Sequence, residues 1–177
     1  MADRKRIRQI VGYTREEQIT NAAAWFALAE AFHAAAEVLH EFQDRLSSDS
    51  RPFALNAALS LELIFKSILA QKGLTIPDGK SGHDLCSLCT TAKVRLNEKQ
   101  TITLELLTET IVWAGRYPGP KDEKRWDDYQ DRIFEKHVIR SSTGNVSRVL
   151  ANPETFPNWK NYTKIWNGCV VEFRAAS

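Results

Sequence analysis

The chain has 177 residues, 43% of them hydrophobic and 26% charged, enough for one domain whose core needs no disulfides. A formal net charge of +2 is too small to imply a nucleic-acid coat, and basic residues are dense only at Arg4, Lys5, Arg6 and Arg8. Three cysteines, an odd count with two of them three apart, favour free thiols in a reducing cytoplasm, and the sequence reads without a membrane span or a signal segment.

A basic arm over 1–13 precedes a helical region over 14–177. Thr14 and Glu17 have capping-box spacing. Behind them Trp25, Leu28, Phe32, Ala35, Leu39, Phe42 and Leu46 recur at three and four, which predicts one long helix with that stripe facing the core. It ends in Ser47–Ser50. The second helix opens with Ser50 as cap and Pro52 in its first turn, is apolar almost all round, and stops at Gly73. Such a helix belongs at the centre of a bundle.

A third helix starts near His83 and turns Leu85, Leu88, Ala92 and Leu96 inward. A fourth spans about 101–114 and is broken by Gly115-Arg116-Tyr117-Pro118-Gly119-Pro120. A fifth covers 121–139 with Trp126, Tyr129 and Ile133 on one face. Residues 141–156 read as an irregular connector, and a last helix carries Trp159, Tyr162, Trp166, Val170 and Phe173. No strict alternation marks a strand. The expected fold is all-α, a single-domain antiparallel bundle of five or six helices.

Four constellations hold chemistry. His83, Cys86 and Cys89 lie at i, i+3 and i+6, a drift of roughly 60° per step that does not surround one ion, so a capped helix with small buried thiols is the plain reading and no metal is assigned. Cys86 does fall in a first helical turn, where the helix end lowers a thiol pKa. Glu30, His33, Glu37 and His40 form two ExxH units, but on one helix and opposite its apolar stripe, which reads as a solvated face. Glu62 and Lys66 are four apart inside an apolar helix, so they form either an ion pair at the bundle edge or part of a polar site. Arg116 and Tyr117 are held by the following proline; Arg116 either grips a phosphate, caps the preceding helix or pairs with Glu62.

Taken together, Glu62 and Lys66 within Ala58–Gly73, the Gly82-His83-Asp84-Leu85 opening of the next helix, and Arg116-Tyr117-Pro118 resemble the HEPN family (higher eukaryotes and prokaryotes nucleotide-binding domains), in its GHDL…RYP-type subgroup. The resemblance covers roughly 53–118. It implies a cytoplasmic helical bundle, commonly a homodimer, without cofactor. It implies further a nucleotide, RNA phosphate or protein partner (an antitoxin or a nucleotidyltransferase) at a polar cleft holding Glu62, Lys66, His83, Arg116 and Tyr117. Toxin–antitoxin or phage-defence settings are typical of the family.

Its ribonuclease branch carries an arginine and a histidine four to six residues apart, matched here by Arg132 and His137. The alternative reading is therefore a metal-independent endoribonuclease in which the histidine moves a proton and the arginine stabilises phosphate charge. On a continuous helix these two side chains point about 140° apart, so a shared cleft requires a break near Arg132. A third reading is a purely structural protein that dimerises through the aromatic stripe of the last helix.

Overall fold

A computed structural model of the chain describes residues 2–45, 51–143 and 146–175. These are mostly helical: α1 (Ala2–Ile10), α2 (Arg15–Thr20), α3 (Ala22–Glu41), α4 (Arg51–Gln71), α5 (Leu85–Ala92), α6 (Glu98–Glu109), α7 (Glu123–Arg132) and α8 (Trp159–Ala175). One antiparallel hairpin, β1 (Val138–Thr143) and β2 (Val146–Ala151), interrupts the helical order before α8.

The fold is built round α4. Leu61, Ile64, Phe65, Ile68 and Leu69 expose none of their surface, each such side chain contributing roughly 1.5–3 kcal/mol of burial. α3, α5, α6 and α8 all pack against it, as all-round apolarity requires. It stops at Gly73, whose φ of +63° lets the chain turn back and Leu74 N–H reach the Leu69 carbonyl. The expected cap Ser50, the end of the first helix at Ser47–Ser50 and the last stripe residue Leu46 lie outside the described residues.

The first helix departs from expectation in two ways. The Thr14–Glu17 capping box forms, but it opens only the six-residue α2. Asn21 then takes an extended conformation and caps a new helix, α3, through the Ala24 N–H. The inward face of α3 is also turned from the expected stripe. Ala29 and Ala36 are fully buried, whereas Leu28 is 51% and Phe42 45% exposed. Small residues let α3 approach α4 closely, and the bulk comes from α8. Phe26 stacks on Phe173 at 4.3 Å, His33 on Trp166 at 4.4 Å and His40 on Trp159 at 5.2 Å between ring centroids. So His33 and His40 do not belong to a solvated face, and the aromatic stripe of α8 is core rather than a dimer face.

Two helices, Ala22–Glu41 and Arg51–Gln71, are long and apolar enough to cross a membrane by length and composition, which corrects the reading that no segment reaches that size. α4 is mostly buried inside the protein, and the apolarity of α3 comes largely from alanine.

His33 and His137 make the fold sensitive to pH. Tyr162 Oη lies 2.6 Å from His33 Nδ1 and 2.7 Å from Ser60 Oγ, and Ser60 donates to the Ala57 carbonyl. With that bond made, the phenol donates to Ser60 and His33 Nδ1–H donates to the phenol. Burial holds His33 below the usual 6.5 of a free imidazole, and burial likewise lowers His137. Both are neutral in the fold and bind protons more readily once unfolded. Their contribution is therefore complete above about pH 6.5 and is lost as the pH falls below it. Urea midpoints measured from pH 7.5 down to about 5 are expected to fall, and a His137→Gln variant to fall less steeply; a flat profile would contradict the assignment.

The second half of the chain holds the largest departures. The expected fifth helix is α-helical only over Glu123–Arg132, and continues as one wide π turn, Ile133–His137. The expected irregular connector is a hairpin in which Ile139 faces Leu150, Arg140 faces Val149 and Ser141 faces Arg148. Its alternation is invisible because both faces are exposed, so apolar and polar residues need not segregate. The base of the hairpin is clamped: Asn152 N–H donates to the His137 carbonyl at 2.7 Å, and Thr155 Oγ1 to that of Lys136 at 2.6 Å.

Candidate functional site

Glu62 and Lys66 project one turn apart from α4 and are only 5% and 8% exposed. Lys66 Nζ donates to Glu62 Oε1 at 2.6 Å, and the second carboxylate oxygen lies 3.0 Å from His83 Nδ1. A buried carboxylate on that nitrogen holds the imidazole with Nδ1 as donor and directs Nε2 outward. Lys66 also lies 5.6 Å from the centre of the Trp25 ring, a second neighbour for its charge. Three of the residues selected from sequence therefore meet.

Local sequence explains the arrangement. A β-carbon on Gly82 would stand 2.7 Å from the Pro77 carbonyl oxygen, so only glycine lets the short turn Ser81–His83 press against the preceding loop. Asp84 then caps α5, accepting N–H bonds from Cys86 and Ser87 at 3.0 and 3.1 Å. Leu85 is fully buried. Each residue of the Gly82–Leu85 motif thus has its own role, and together they place the half-exposed His83 at the edge of a cleft.

That cleft has a volume of about 750 Å³ and lies between α4, the loop before α5, the end of α6 and α7. Leu55, Leu59, Ile111 and Val112 form an apolar wall; Lys80, His83, Arg116 and Arg125 stand around it. Of the two acidic side chains on its lining, Asp84 is occupied in capping α5 and Glu109 is held by arginines and an indole. Among the described residues Lys80 and Arg116 have no carboxylate partner, so the cleft is cationic. Its mouth suits a ligand with one anionic and one flat apolar end.

Arg116 is on this cleft, and it also does what the plainest reading expected. Its Nη2 donates to the carbonyls of Ile111 and Val112 at 2.8 and 3.1 Å, closing the π turn Thr110–Ala114 that ends α6. It does not pair with Glu62. Gly115 is packed so closely that a β-carbon would stand 2.8 Å from the Thr110 carbonyl oxygen and 3.1 Å from Leu55 Cβ. Tyr117 is placed apart from Glu62, Lys66 and His83. It is 53% exposed, lies under the Arg116 guanidinium at 5.6 Å, and lines a neighbouring hollow with Arg51 and Pro52.

The sequence reading missed Lys80, Arg125 and above all Glu109. Glu109 is 8% exposed and its carboxylate accepts from Trp113 Nε1 at 2.7 Å, from Arg125 Nε and Nη2 at 3.1 and 3.0 Å, and from Arg132 Nη2 at 3.1 Å. One carboxylate faces two guanidiniums, which leaves a positive excess. The available signal was the same as for Glu62: a single carboxylate inside a largely apolar helical run, here Leu106–Trp113. Arg125 carried no signal of its own, being one of many charges in a polar helix.

Arg132 and His137 flank the π turn, so the break required for a shared cleft exists and the wide turn brings both onto one small pocket with Glu105 and Tyr129. That pocket holds about 10 Å³, His137 is 2% exposed with Nδ1 directed at the Thr155 carbonyl at 3.1 Å, and Arg132 is clamped by Glu109. His137 is positioned at the hairpin base, whereas Arg132 is tied to Glu109 and the Asp128 carbonyl.

The thiols are not activated. Burial pushes Cys86 up to about 12 and Cys89 to about 11, and raises buried Cys169 as well. For Cys86 burial and the adjacent Asp84 outweigh the helix terminus, which Asp84 already caps. No group of three or more metal-ligating side chains is found among the described residues. Comparisons with family models, curated proteins and solved structures return no match.

Proposed function

We propose that this chain is a HEPN-like helical module that binds a nucleotide, or the terminal phosphate of an RNA, in the cleft between α4, α6 and α7. The carrying observation is the cleft itself: about 750 Å³, cationic on one side and aliphatic on the other. A mononucleotide offers a multivalent anion at one end and a flat ring at the other. Arg116 and Arg125 supply guanidiniums and Lys80 a mobile ammonium, while His83 donates or accepts at Nε2 with Glu62 fixing its orientation.

The short motifs behind the HEPN resemblance support the reading because they build this cleft. Gly82 permits the turn, His83 stands on the rim, Asp84 starts the helix behind it, and Arg116 closes the end of α6. The setting we infer is cytoplasmic, in a toxin–antitoxin or phage-defence system, with a homodimer or a nucleotidyltransferase as protein partner. Lys80 is exposed and structurally idle, so Lys80→Glu tests the site without disturbing the fold. Reversing one charge that meets a phosphate is expected to weaken nucleotide binding by about 10- to 150-fold, the equivalent of about 1.5–3 kcal/mol.

A further inference from the structure

We propose that the β1–β2 hairpin is a nucleic-acid-binding arm that holds the phosphate backbone of an extended strand, separately from the cleft. Among the described residues the hairpin is a two-stranded sheet that no third strand joins. Both its faces meet solvent, with Ile139 42%, Val149 54% and Leu150 49% exposed. A two-stranded ribbon with apolar residues in water is marginal by itself. This one is nevertheless fastened at its base by the bonds from Asn152 and Thr155 to residues 136 and 137, with buried His137 beneath it. A rigid base carrying an uncovered ribbon is the construction of an arm.

Charge selects the occupant. From Lys136 to Pro153 the sequence holds no aspartate or glutamate, in a chain that has 22 of them. Lys136 is paired with Glu105 at 2.8 Å, which leaves Arg140 and Arg148 as the cations of the arm, neither with a carboxylate partner among the described residues. Their register matters. Arg140 faces Val149 and Arg148 faces Ser141, positions that alternate along the ribbon, so the two arginines stand on opposite faces. Each face therefore presents one guanidinium beside an aliphatic side chain.

Arg140 is also stacked 5.1 Å over the ring of Phe134, itself 51% exposed. An arginine over an exposed aromatic is a platform for an unpaired base, and the guanidiniums suit phosphates on either side. A protein partner would be expected to meet some carboxylate on such a surface; a polyanion meets none.

The test uses the full chain and a fluorescein-labelled single-stranded RNA of about 20 nucleotides, with the same sequence as DNA and as RNA duplex, in anisotropy titrations over a range of salt. Wild type is expected to bind, and R140Q/R148Q to bind at least about tenfold more weakly with a salt slope shallower by roughly 1.4, two contacts at about 0.7 each. The three oligonucleotides decide whether single strand, ribose or duplex is preferred. The oligonucleotides carry no terminal phosphate for the cleft to hold, so Lys80→Glu, which weakens the cleft, is expected to leave this slope unchanged, and failure of the cleft and failure of the arm are read separately. Equal binding by wild type and R140Q/R148Q overturns the proposal. So does absence of binding by wild type, above all if sedimentation then shows R140Q/R148Q losing a self-association that wild type has, which would make the arm a contact between copies of this chain.

Discussion

Glu62→Ala is expected to destabilise the fold by about 3–5 kcal/mol, a fall in Tm of roughly 6–20 °C for a domain of this size. The reason is the charge it leaves behind. Lys66 is 8% exposed, and in the variant its ammonium loses the carboxylate at 2.6 Å and keeps only the distant Trp25 ring. Removing one member of a buried pair costs more than removing both. The double variant Glu62→Gln, Lys66→Met is therefore expected to recover most of the loss, and the coupling between the two sites to be large and positive in a double-mutant cycle. His83 should also lose its fixed orientation. A single variant within about 0.5 kcal/mol of wild type, as for an ordinary surface change, would show that the pair is not buried as described.

Glu109→Ala carries the second large effect, about 2–3 kcal/mol by urea unfolding. Most of it comes from the indole N–H of Trp113, which is 6% exposed and loses its acceptor at 2.7 Å. Arg125 and Arg132 contribute less, because their side chains are 39% and 40% exposed and can turn to water. The functional consequence is larger than the thermodynamic one. Without Glu109 nothing fixes Arg125 against the cleft, so nucleotide binding is expected to weaken even where the protein is fully folded. Glu109→Gln should keep the indole bond and part of the stability while still releasing the arginines. A Glu109→Ala protein that binds nucleotide as wild type does would remove Arg125 from the site.

The sequence made some of this legible because certain residues leave one physical option. The all-round apolarity of Phe53–Leu69 admits only a central helix, and a Glu62–Lys66 pair within it must be partnered. Gly73 marks the end of α4 and Asp84 the start of α5 through the backbone groups they satisfy. The inward face of α3 was misread because apolar size was taken as the mark of burial. Alanines make the close contact there, and two histidines fill the space against α8. The hairpin was missed for a different reason. Period two reports a sheet with one wet face, whereas this ribbon is wet on both; the remaining signs were β-branched runs either side of Gly144-Asn145, a pair suited to a two-residue turn.

The candidate site was legible in its motif residues and not in the rest. Glu62, Lys66 and His83 converge as the spacing suggested, since Glu62 must find donors. Lys80, Glu109 and Arg125 come from three separate segments that only the tertiary fold brings to one cleft. Tyr117 was grouped with Arg116 because they are neighbours in the chain; Arg116 lines both the cleft and the neighbouring hollow, whereas Tyr117 lines only the hollow.

The most direct measurement is isothermal titration of AMP, ADP, ATP and inorganic pyrophosphate into the wild-type chain and into Lys80→Glu. The account predicts saturable binding of at least one nucleotide to wild type, tighter than that of pyrophosphate because the aliphatic wall holds the base. It predicts a loss of about 10- to 150-fold in Lys80→Glu at unchanged Tm. No heat from any of the four ligands at millimolar concentration, or nucleotide binding that Lys80→Glu leaves untouched, would contradict it.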